Sequence, residues 1–415
     1  MSKSRLSIEE MIKSAASLTS AISLLGFQHL GGVLSSNQST TSDHTKATAV
    51  LGIPILDGFT PRRVIREIMG LAWHSAELAQ KITSGVDTLF LEEFQNKLEA
   101  FSLFEHVDYA LSLGPSSSLS LSDLVARVAT LDPSISVWAT EGVGHYFADR
   151  YLANHNEPHA LMSCPDSLGL PEASLVPLNA GLGLALAEWL LDTANSERPI
   201  DRRVIATFVG LCRNNCSPGC EGVGFEALGL AARSLHPHLI SPIDALLSSD
   251  YPNLLEYFWH GVGRALYFSP TQFLPLCSKP WQGLDMSVQE PPHAAGRRNA
   301  VAGFVWALTL VNIRNPEIVA EFLDRNAAHL PEPQTFGNGL CSALIVWSDA
   351  QPGQREVADF VDYRVGSSDG PLPRFWKTYV QQPWTRTLRD HSWDERHMGS
   401  LFRHQSLIGA IDLEL

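Results

Sequence analysis

Two glutamates stand at matching places in the chain and could exchange protons with a substrate. Glu141 and Glu221 each open an identical run, Glu-Gly-Val-Gly, and lie 80 positions apart. Equivalent residues of a helical repeat point to the same side of the array, so we expect the two carboxylates to face a shared space. A carboxylate in an apolar pocket has a raised pKa and can act as an acid or a base near neutral pH. The spacing therefore predicts acid–base chemistry by Glu221 and Glu141.

Further ionisable residues fall in turns next to these glutamates. His260 and Arg264 are four residues apart, which places them on one face of a helix. We predict that His260 joins the two glutamates in catalysis or orients a polar end of the substrate. Arg264 is expected to bind a carboxylate or phosphate, or to pair with an internal glutamate. The other candidates for substrate binding are His145, Glu188, Glu226, Trp259 and Arg298.

A structural interpretation of the same residues stays open. Glu141 and Glu221 each directly precede a glycine, and an acidic residue is favourable at the N-terminus of a helix because of the helix dipole. Arg264 could equally hold neighbouring repeats in register through an ion pair. The sequence alone does not decide between these two roles.

Glycines recur through the middle of the chain at a near-constant interval. They fall at positions 144, 183, 224, 263, 303 and 339, in steps of 39, 41, 39, 40 and 36 residues. Such a period is typical of helix-pair repeats. A glycine inside a helix costs about 1 kcal/mol relative to alanine, so the series indicates a compensating benefit. The commonest benefit is the close approach of another backbone or of a ligand.

The pattern of apolar residues predicts an all-α protein built from helix-pair repeats of about 40 residues that form a curved or closed, toroid-like array. We divide the chain into an apolar N-terminal helix with a flexible linker (1–46), an N-terminal helical segment (47–134), the glycine-helix repeats (135–350) and a helical tail (351–415). Ser122-Asp123 is expected to cap one helix, and Asn315 with Pro316 to start another.

Composition limits the classes of partner. Hydrophobic residues make up 45% of the chain and its net charge is −14, which disfavours nucleic acid and anionic membrane surfaces. Residues 15–41 contain no charged residue and are long enough to span a bilayer, but they include many polar residues and glycines. We expect them to pack on the body of the protein without firm membrane insertion. A homodimer is one possible state.

No cofactor or metal is expected from the motifs. The chain has no P-loop, no dinucleotide fingerprint, no His-Glu-x-x-His motif and no aspartate-rich box for magnesium–diphosphate. Cys212, Cys216 and Cys220 are spaced four apart, which allows a metal or iron–sulfur site, but Pro218 and Gly219 interrupt the helix. Buried or reduced free thiols are the simpler interpretation.

Several motifs, taken in order, resemble a known family. They are Glu141-Gly142-Val143-Gly144, the run 179–185, Glu221-Gly222-Val223-Gly224, the run 260–268, the run 297–304 and Phe336-Gly337-Asn338-Gly339. Together they resemble the bacterial domain family of unknown function that accompanies enediyne polyketide synthase gene clusters. The resemblance covers residues 135–345, and it departs from the family at Thr140 and at the small residues of 299–302. It implies a cytoplasmic protein of specialised metabolism that acts on a hydrophobic polyene or isoprenoid-like chain.

Two hypotheses for the function follow. In the first, the protein is a metal-independent cyclase or isomerase that folds a long hydrophobic substrate in an apolar cavity lined by some of its ten tryptophans and eighteen phenylalanines. In the second, it is a non-catalytic binder or scaffold for a biosynthetic intermediate or a synthase, because helical solenoids more often bind than catalyse.

Overall fold

The computed structural model describes residues 88–105, 107–113, 119–153, 158–167, 169–197, 200–268, 282–330, 332–366, 370–390 and 395–404. The chain divides into two compact units, Met1–Leu91 and Glu92–Leu415. Almost all described residues belong to the second unit. The predictions for residues 1–46, including the uncharged stretch 15–41, and for residues 47–87 therefore lie outside the described residues.

The described residues form helices and connecting turns, with no strand among them, which confirms the all-α prediction for this part of the chain. We number the α-helices in chain order. They are α1 (Thr88–Glu105), α2 (Val107–Ala110), α3 (Leu121–Val128), α4 (Pro133–Ala153), α5 (Glu172–Glu197), α6 (Arg202–Asn215), α7 (Glu221–Leu235), α8 (Ile240–Asp250), α9 (Pro252–Tyr267), α10 (Gln282–Gln289), α11 (Ala294–Val311), α12 (Pro316–Asn326), α13 (Pro333–Ala350), α14 (Glu356–Val361), α15 (Leu372–Trp376) and α16 (Gln382–Asp390).

Shorter helical segments complete the fold. Three single 3₁₀ turns lie at Pro165–Ser167, Pro237–Leu239 and Ala327–His329, and a π-helical segment, Lys377–Gln381, joins α15 to α16. A longer 3₁₀ segment, Glu395–Phe402, follows near the C-terminus.

Helix starts agree with the sequence signals only in part. The cap of α3 is Ser120, whose hydroxyl accepts the backbone N–H of Asp123 while the Asp123 carboxylate accepts that of Ser120. The predicted Ser122 cap is therefore wrong by two residues, because Asp123 serves as the third helical residue of this capping box. Asn315 does precede α12, which begins at Pro316, although its side chain makes no capping bond.

Six long helices form the centre of the fold, and they pack in sequence, α4 on α5, α5 on α7, α7 on α9, α9 on α11 and α11 on α13. Each contains one glycine of the 40-residue series. A Cβ atom built at Gly263 would lie 1.8 Å from the Ala300 carbonyl oxygen of α11, and one built at Gly339 would lie 2.2 Å from the Ala302 carbonyl oxygen. These distances are shorter than any van der Waals contact. The glycines therefore permit neighbouring backbones to touch, which confirms the predicted close approach.

Helix α5 is long and apolar enough to cross a membrane over Glu172–Asp192, as judged by length and composition among the described residues. Most of this stretch is buried inside the protein. Its apolar character is therefore accounted for by its packing between α4 and α7.

Adding a methyl group at Gly263 should destabilise the fold. The Gly263→Ala side chain overlaps the Ala300 carbonyl oxygen, so α9 and α11 must separate, and we expect the free energy of unfolding to fall by about 1–3 kcal/mol. Urea unfolding followed by circular dichroism measures this change.

Gly210 provides the matched control, because it also lies within a helix, α6, but has no atom within 4 Å of its built Cβ. Gly210→Ala should raise the free energy of unfolding by up to about 1 kcal/mol. Equal effects of the two substitutions would show that close packing at Gly263 is not what stabilises the helix pair.

Candidate functional site

Four ionisable side chains from three central helices meet in the interior, and we call them the ionic cluster: Glu141 of α4, Glu226 of α7, and His260 and Arg264 of α9. Arg264 donates through Nη2 to Glu141 Oε1 at 2.5 Å and through Nη1 to Glu226 Oε2 at 3.2 Å. His260 Nδ1 lies 3.0 Å from Glu226 Oε1. The four residues are only 1–4% exposed. The structure thus brings together four of the residues predicted from the sequence.

Glycines position the backbones that hold this cluster. A Cβ atom at Gly181 would lie 1.8 Å from the Glu141 carbonyl oxygen, and one at Gly261 would lie 2.1 Å from the Glu226 carbonyl oxygen. A Cβ atom at Gly303 would lie 1.9 Å from the His260 carbonyl oxygen. Three members of the cluster therefore lie at points of close approach by a neighbouring helix, and the short distance between the helix axes lets their side chains meet.

Burial and mutual contact set the charges of the cluster. Burial raises the pKa of the Glu141 carboxyl, an effect that Arg264 opposes and Glu226 reinforces. Burial alone would lower the pKa of Arg264, but the two carboxylates outweigh it and leave that pKa above its ordinary value. With both carboxylates ionised and a neutral imidazole the net charge is −1. One added proton therefore makes the cluster neutral, and Glu141 is a favourable place for it.

Besides Nε of Arg264, which is buried without a hydrogen-bond partner among the described residues, two atoms of the cluster keep free hydrogen-bonding capacity. Oε1 of Glu141 accepts from Arg264, while Oε2 has no hydrogen-bond partner among the described residues. Nδ1 of His260 bonds to Glu226, while Nε2 has no such partner in the described part of the chain. If Nδ1–H donates to the carboxylate, Nε2 presents its lone pair. The cluster thus offers a carboxyl oxygen and an imidazole nitrogen to an incoming molecule.

Aromatic rings border the cluster. The guanidinium of Arg264 lies over the ring of Trp306, with its Cζ 4.7 Å from the ring centroid. Trp306 and Phe402 both lie edge-on to the imidazole of His260, with ring centroids 6.3 and 6.2 Å from that of the imidazole. Neither Trp306 nor Phe402 was among the predicted site residues, because nothing in a single sequence links a residue of α11 or of the C-terminal segment to α9.

Glu221 lies elsewhere, despite its match to Glu141 in sequence. It is the first residue of α7, is half-buried, and accepts the backbone N–H of Gly219 through Oε2 at 2.9 Å. The expected pairing of Glu221 with Glu141 at one site is not what the structure displays. Glu226 follows Glu221 by five positions, which is about 140° around the helix, so the two side chains point apart. Glu226 is the residue of α7 that joins Glu141 through Arg264.

The other predicted binding residues form separate contacts. His145 Nε2 lies 3.0 Å from Glu188 Oε2, between α4 and α5. The indole of Trp259 donates to Asp244 of α8 at 2.7 Å. Arg298 is half-buried, and its charge helps burial to lower the pKa of His404. The structure therefore places these residues outside the hydrogen bonds of the ionic cluster.

A second buried polar group was not predicted from the sequence. The ammonium of Lys97 lies 2.8 Å from Glu93 and 4.0 Å from the centroid of the Tyr267 ring. Burial lowers the pKa of this lysine, although Glu93 opposes the shift. Asn312 donates to the Tyr267 hydroxyl at 2.7 Å. Lys97 is 1% exposed, and a lysine in an amphipathic helix gives no sequence signal for such burial.

The three cysteines are buried free thiols, in agreement with the simpler interpretation. Burial raises the pKa of Cys212 well above its ordinary value and that of Cys220 to about 12. A Cβ atom at Gly224 would lie 2.8 Å from Cys216 Sγ and 3.2 Å from Cys212 Sγ, so the two sulfurs occupy the space beside that glycine. Among the described residues, no cluster of histidine, cysteine, aspartate and glutamate has the arrangement of a metal site.

Comparison with protein families, with curated proteins and with solved structures finds no match for this chain.

Removing the arginine at the centre of the cluster should be costly. Arg264→Met leaves Glu141 and Glu226 buried without their shared cation, so we expect the free energy of unfolding at neutral pH to fall by about 3–5 kcal/mol. Denaturant unfolding measures it. Arg355→Met is the control, because Arg355 makes an exposed ion pair with Asp359 and should change stability by less than about 1 kcal/mol. Similar losses in both variants would contradict a central role of Arg264.

Glu141→Gln should make stability less sensitive to pH. Because folding raises the pKa of Glu141, the folded chain keeps this proton where the unfolded chain has released it, and stability is lost as the pH rises from 4.5 through the folded-state pKa. The variant lacks this titration. Its free energy of unfolding should therefore increase relative to that of wild type as the pH rises from about 4.5 to about 8. A difference between the two proteins that stays constant over this range would contradict the raised pKa.

Proposed function

We propose that the chain is an acid–base enzyme of cyclase or isomerase type that acts on a hydrophobic small molecule, a polyene or isoprenoid-like chain. The observation that supports this proposal best is the pair of free atoms in the ionic cluster, Glu141 Oε2 and His260 Nε2. One belongs to a carboxyl group that burial favours in its protonated form, and the other to an imidazole held by a carboxylate. A proton donor and a proton acceptor are the two groups that an isomerisation requires.

The chemistry would begin at Glu141. The carboxyl proton lies on Oε2, because Oε1 accepts from Arg264. It is transferred to one carbon of a C=C bond, and the neighbouring carbon becomes cationic. The ring of Trp306 would stabilise this cation. In a cyclisation, a second C=C bond attacks the cation and closes a ring, whereas in an isomerisation this attack does not occur. In both cases His260 Nε2 then takes a proton from the carbon next to the cationic carbon. A new double bond forms, and one proton enters and one leaves.

The remaining members of the cluster support these two groups. Glu226 fixes the imidazole through Nδ1 and would stabilise the imidazolium that forms. Arg264 is engaged by two carboxylates, so it is better suited to hold Glu141 and Glu226 in place than to bind a carboxylate or phosphate of the substrate. In this scheme Glu221 takes no part in catalysis, which revises the role expected from its sequence position.

The curved or closed helical array that the sequence predicts is part of the proposal. Arg264 of α9 reaches Glu141 of α4, although α5 and α7 lie between them in the packing order. Helix α13 also contacts α5. Contacts between helices distant in that order support an arrangement that turns back on itself, with the ionic cluster toward its inside.

A non-catalytic binder or scaffold is the second candidate. The observation that favours it is the complete bonding of Glu226, since both of its oxygens are bonded within the cluster. Networks of this kind also hold helices in register without any chemistry. In that case Glu141 and His260 would affect stability alone.

Deuterium incorporation separates the two candidates. The protein is incubated in D₂O with an apolar extract of the cells in which its gene occurs, and the products are compared by liquid chromatography and mass spectrometry. The enzyme should produce an isomer that contains one deuterium atom, because Glu141 delivers a solvent-derived proton to carbon. Folded Glu141→Gln and His260→Gln variants should lower its rate of formation about 100-fold or more.

His145→Gln is the control, because His145 pairs with Glu188 outside the cluster and should leave the labelled product in place. The proposed chemistry is wrong if folded His260→Gln and Glu141→Gln proteins form the product as fast as wild type. The absence of any labelled product with the wild-type protein favours the binder.

A further inference from the structure

The C-terminal part of the described chain lies across the ionic cluster. We call residues 395–404, which comprise the 3₁₀ segment and the two residues after it, the closing segment. It packs against α7, and also contacts α9 and α13. Its apolar side chains Met398, Leu401 and Phe402 are 1–4% exposed. The segment therefore closes this side of the cluster from solvent.

Backbone hydrogen bonds and an ion pair connect the closing segment to the rest of the fold. The N–H of Gly399 donates to the Gly219 carbonyl oxygen at 2.8 Å, and the N–H of His404 donates to Asn299 Oδ1 at 2.6 Å. Arg403 lies 3.4 Å from Glu256 in an ion pair whose side chains are about one-third exposed, and over the ring of Tyr257. A partly exposed ion pair adds little stability. The buried apolar side chains Met398, Leu401 and Phe402 also attach the segment beside the cluster.

The ring of Phe402 occupies a specific place. Its centroid lies 5.5 Å from that of Trp306 and 6.2 Å from that of His260, and Phe402 is 1% exposed. Trp306 is in turn covered by the guanidinium of Arg264. Carbon atoms in this place have the ring of Trp306 on one side and the imidazole of His260 within reach. A flat unsaturated hydrocarbon group matches these surroundings better than a saturated chain does.

We propose that Phe402 is a specificity-determining residue, and that its ring holds the place that an unsaturated hydrocarbon group of the substrate takes when the closing segment moves aside. This inference rests on the proposed function, since it assigns a substrate group to the same site. It does not depend on which of the two free atoms of the cluster acts first.

Binding of cis-parinaric acid tests the proposal. This conjugated tetraene fluoresces strongly when it enters apolar surroundings, so its dissociation constant can be measured by titration of the full chain. Phe402→Ala removes the competing ring and should tighten binding about tenfold relative to wild type. Phe402→Leu keeps apolar packing, and its dissociation constant should lie between those of wild type and Phe402→Ala. It serves as the deciding variant if Phe402→Ala does not fold. Unchanged binding in the folded variants would overturn the proposal.

Two controls exclude a general effect of a new cavity. Phe360 is 1% exposed like Phe402 but packs on Trp376, so Phe360→Ala should leave binding unchanged. Stearic acid, the saturated chain of equal length, should displace the probe poorly from Phe402→Ala. If Phe360→Ala tightens probe binding as much as Phe402→Ala does, the assignment to the place of Phe402 is wrong. If stearic acid displaces the probe as well as an unsaturated acid does, the assignment to unsaturated groups is wrong. Tight binding to Phe402→Ala without deuterium incorporation would disprove the acid–base chemistry and leave this binding site standing.

Discussion

Direct contact between helix backbones is the constraint on which the rest of this structure depends. The six central helices approach one another at glycines, where a side chain of any size would overlap a neighbouring helix, most often at a carbonyl oxygen. At three of these points the carbonyl belongs to Glu141, Glu226 or His260. The ionic cluster is thus a consequence of the packing, since side chains that start from touching backbones have only a short distance to cover. A wider spacing would leave the two carboxylates too far apart for one guanidinium to bridge.

The ionic cluster places charged side chains in the protein interior, where they are energetically unfavourable. Transfer of charged groups from water into a protein costs several kcal/mol for each ion, and the attraction within the cluster only offsets that cost. Apolar side chains of similar volume would fill the same space without this penalty. The cluster is also incomplete, because one oxygen of Glu141 and one nitrogen of His260 keep unused hydrogen-bonding capacity within the described structure. A proton-transfer site requires such incompleteness, whereas a purely structural network gains from being fully bonded.

The sequence predicted the parts of the structure that depend on local pattern. The all-α class and the close approach at the glycine series follow from helical periodicity and from the unfavourable cost of glycine in helices. The common helix face of His260 and Arg264 also follows from their spacing. The exact partner of Glu141 did not follow, because Glu221 and Glu226 differ only in their angle around α7. That angle matters once the helix is placed against its neighbours.

Residues brought in from distant parts of the chain were not predictable. Trp306 and Phe402 meet His260 through contacts that no local signal encodes, and the burial of Lys97 depends on α1 packing near Tyr267. The same reasoning applies to the closing segment, which looks like an ordinary charged stretch in the sequence. Its position over the cluster is set by tertiary packing alone.

The sulfurs beside Gly224 have a consequence for the redox chemistry of the protein. Cys212 and Cys216 fill a gap next to a glycine, and burial keeps the Cys212 thiol protonated, so the nucleophilic thiolate is scarce in the folded chain. An oxygen atom added to either sulfur would need room that the adjoining helix occupies. The native protein is therefore insulated from thiol oxidants and alkylating reagents at these positions. Reaction there would report that α6 and α7 had already come apart.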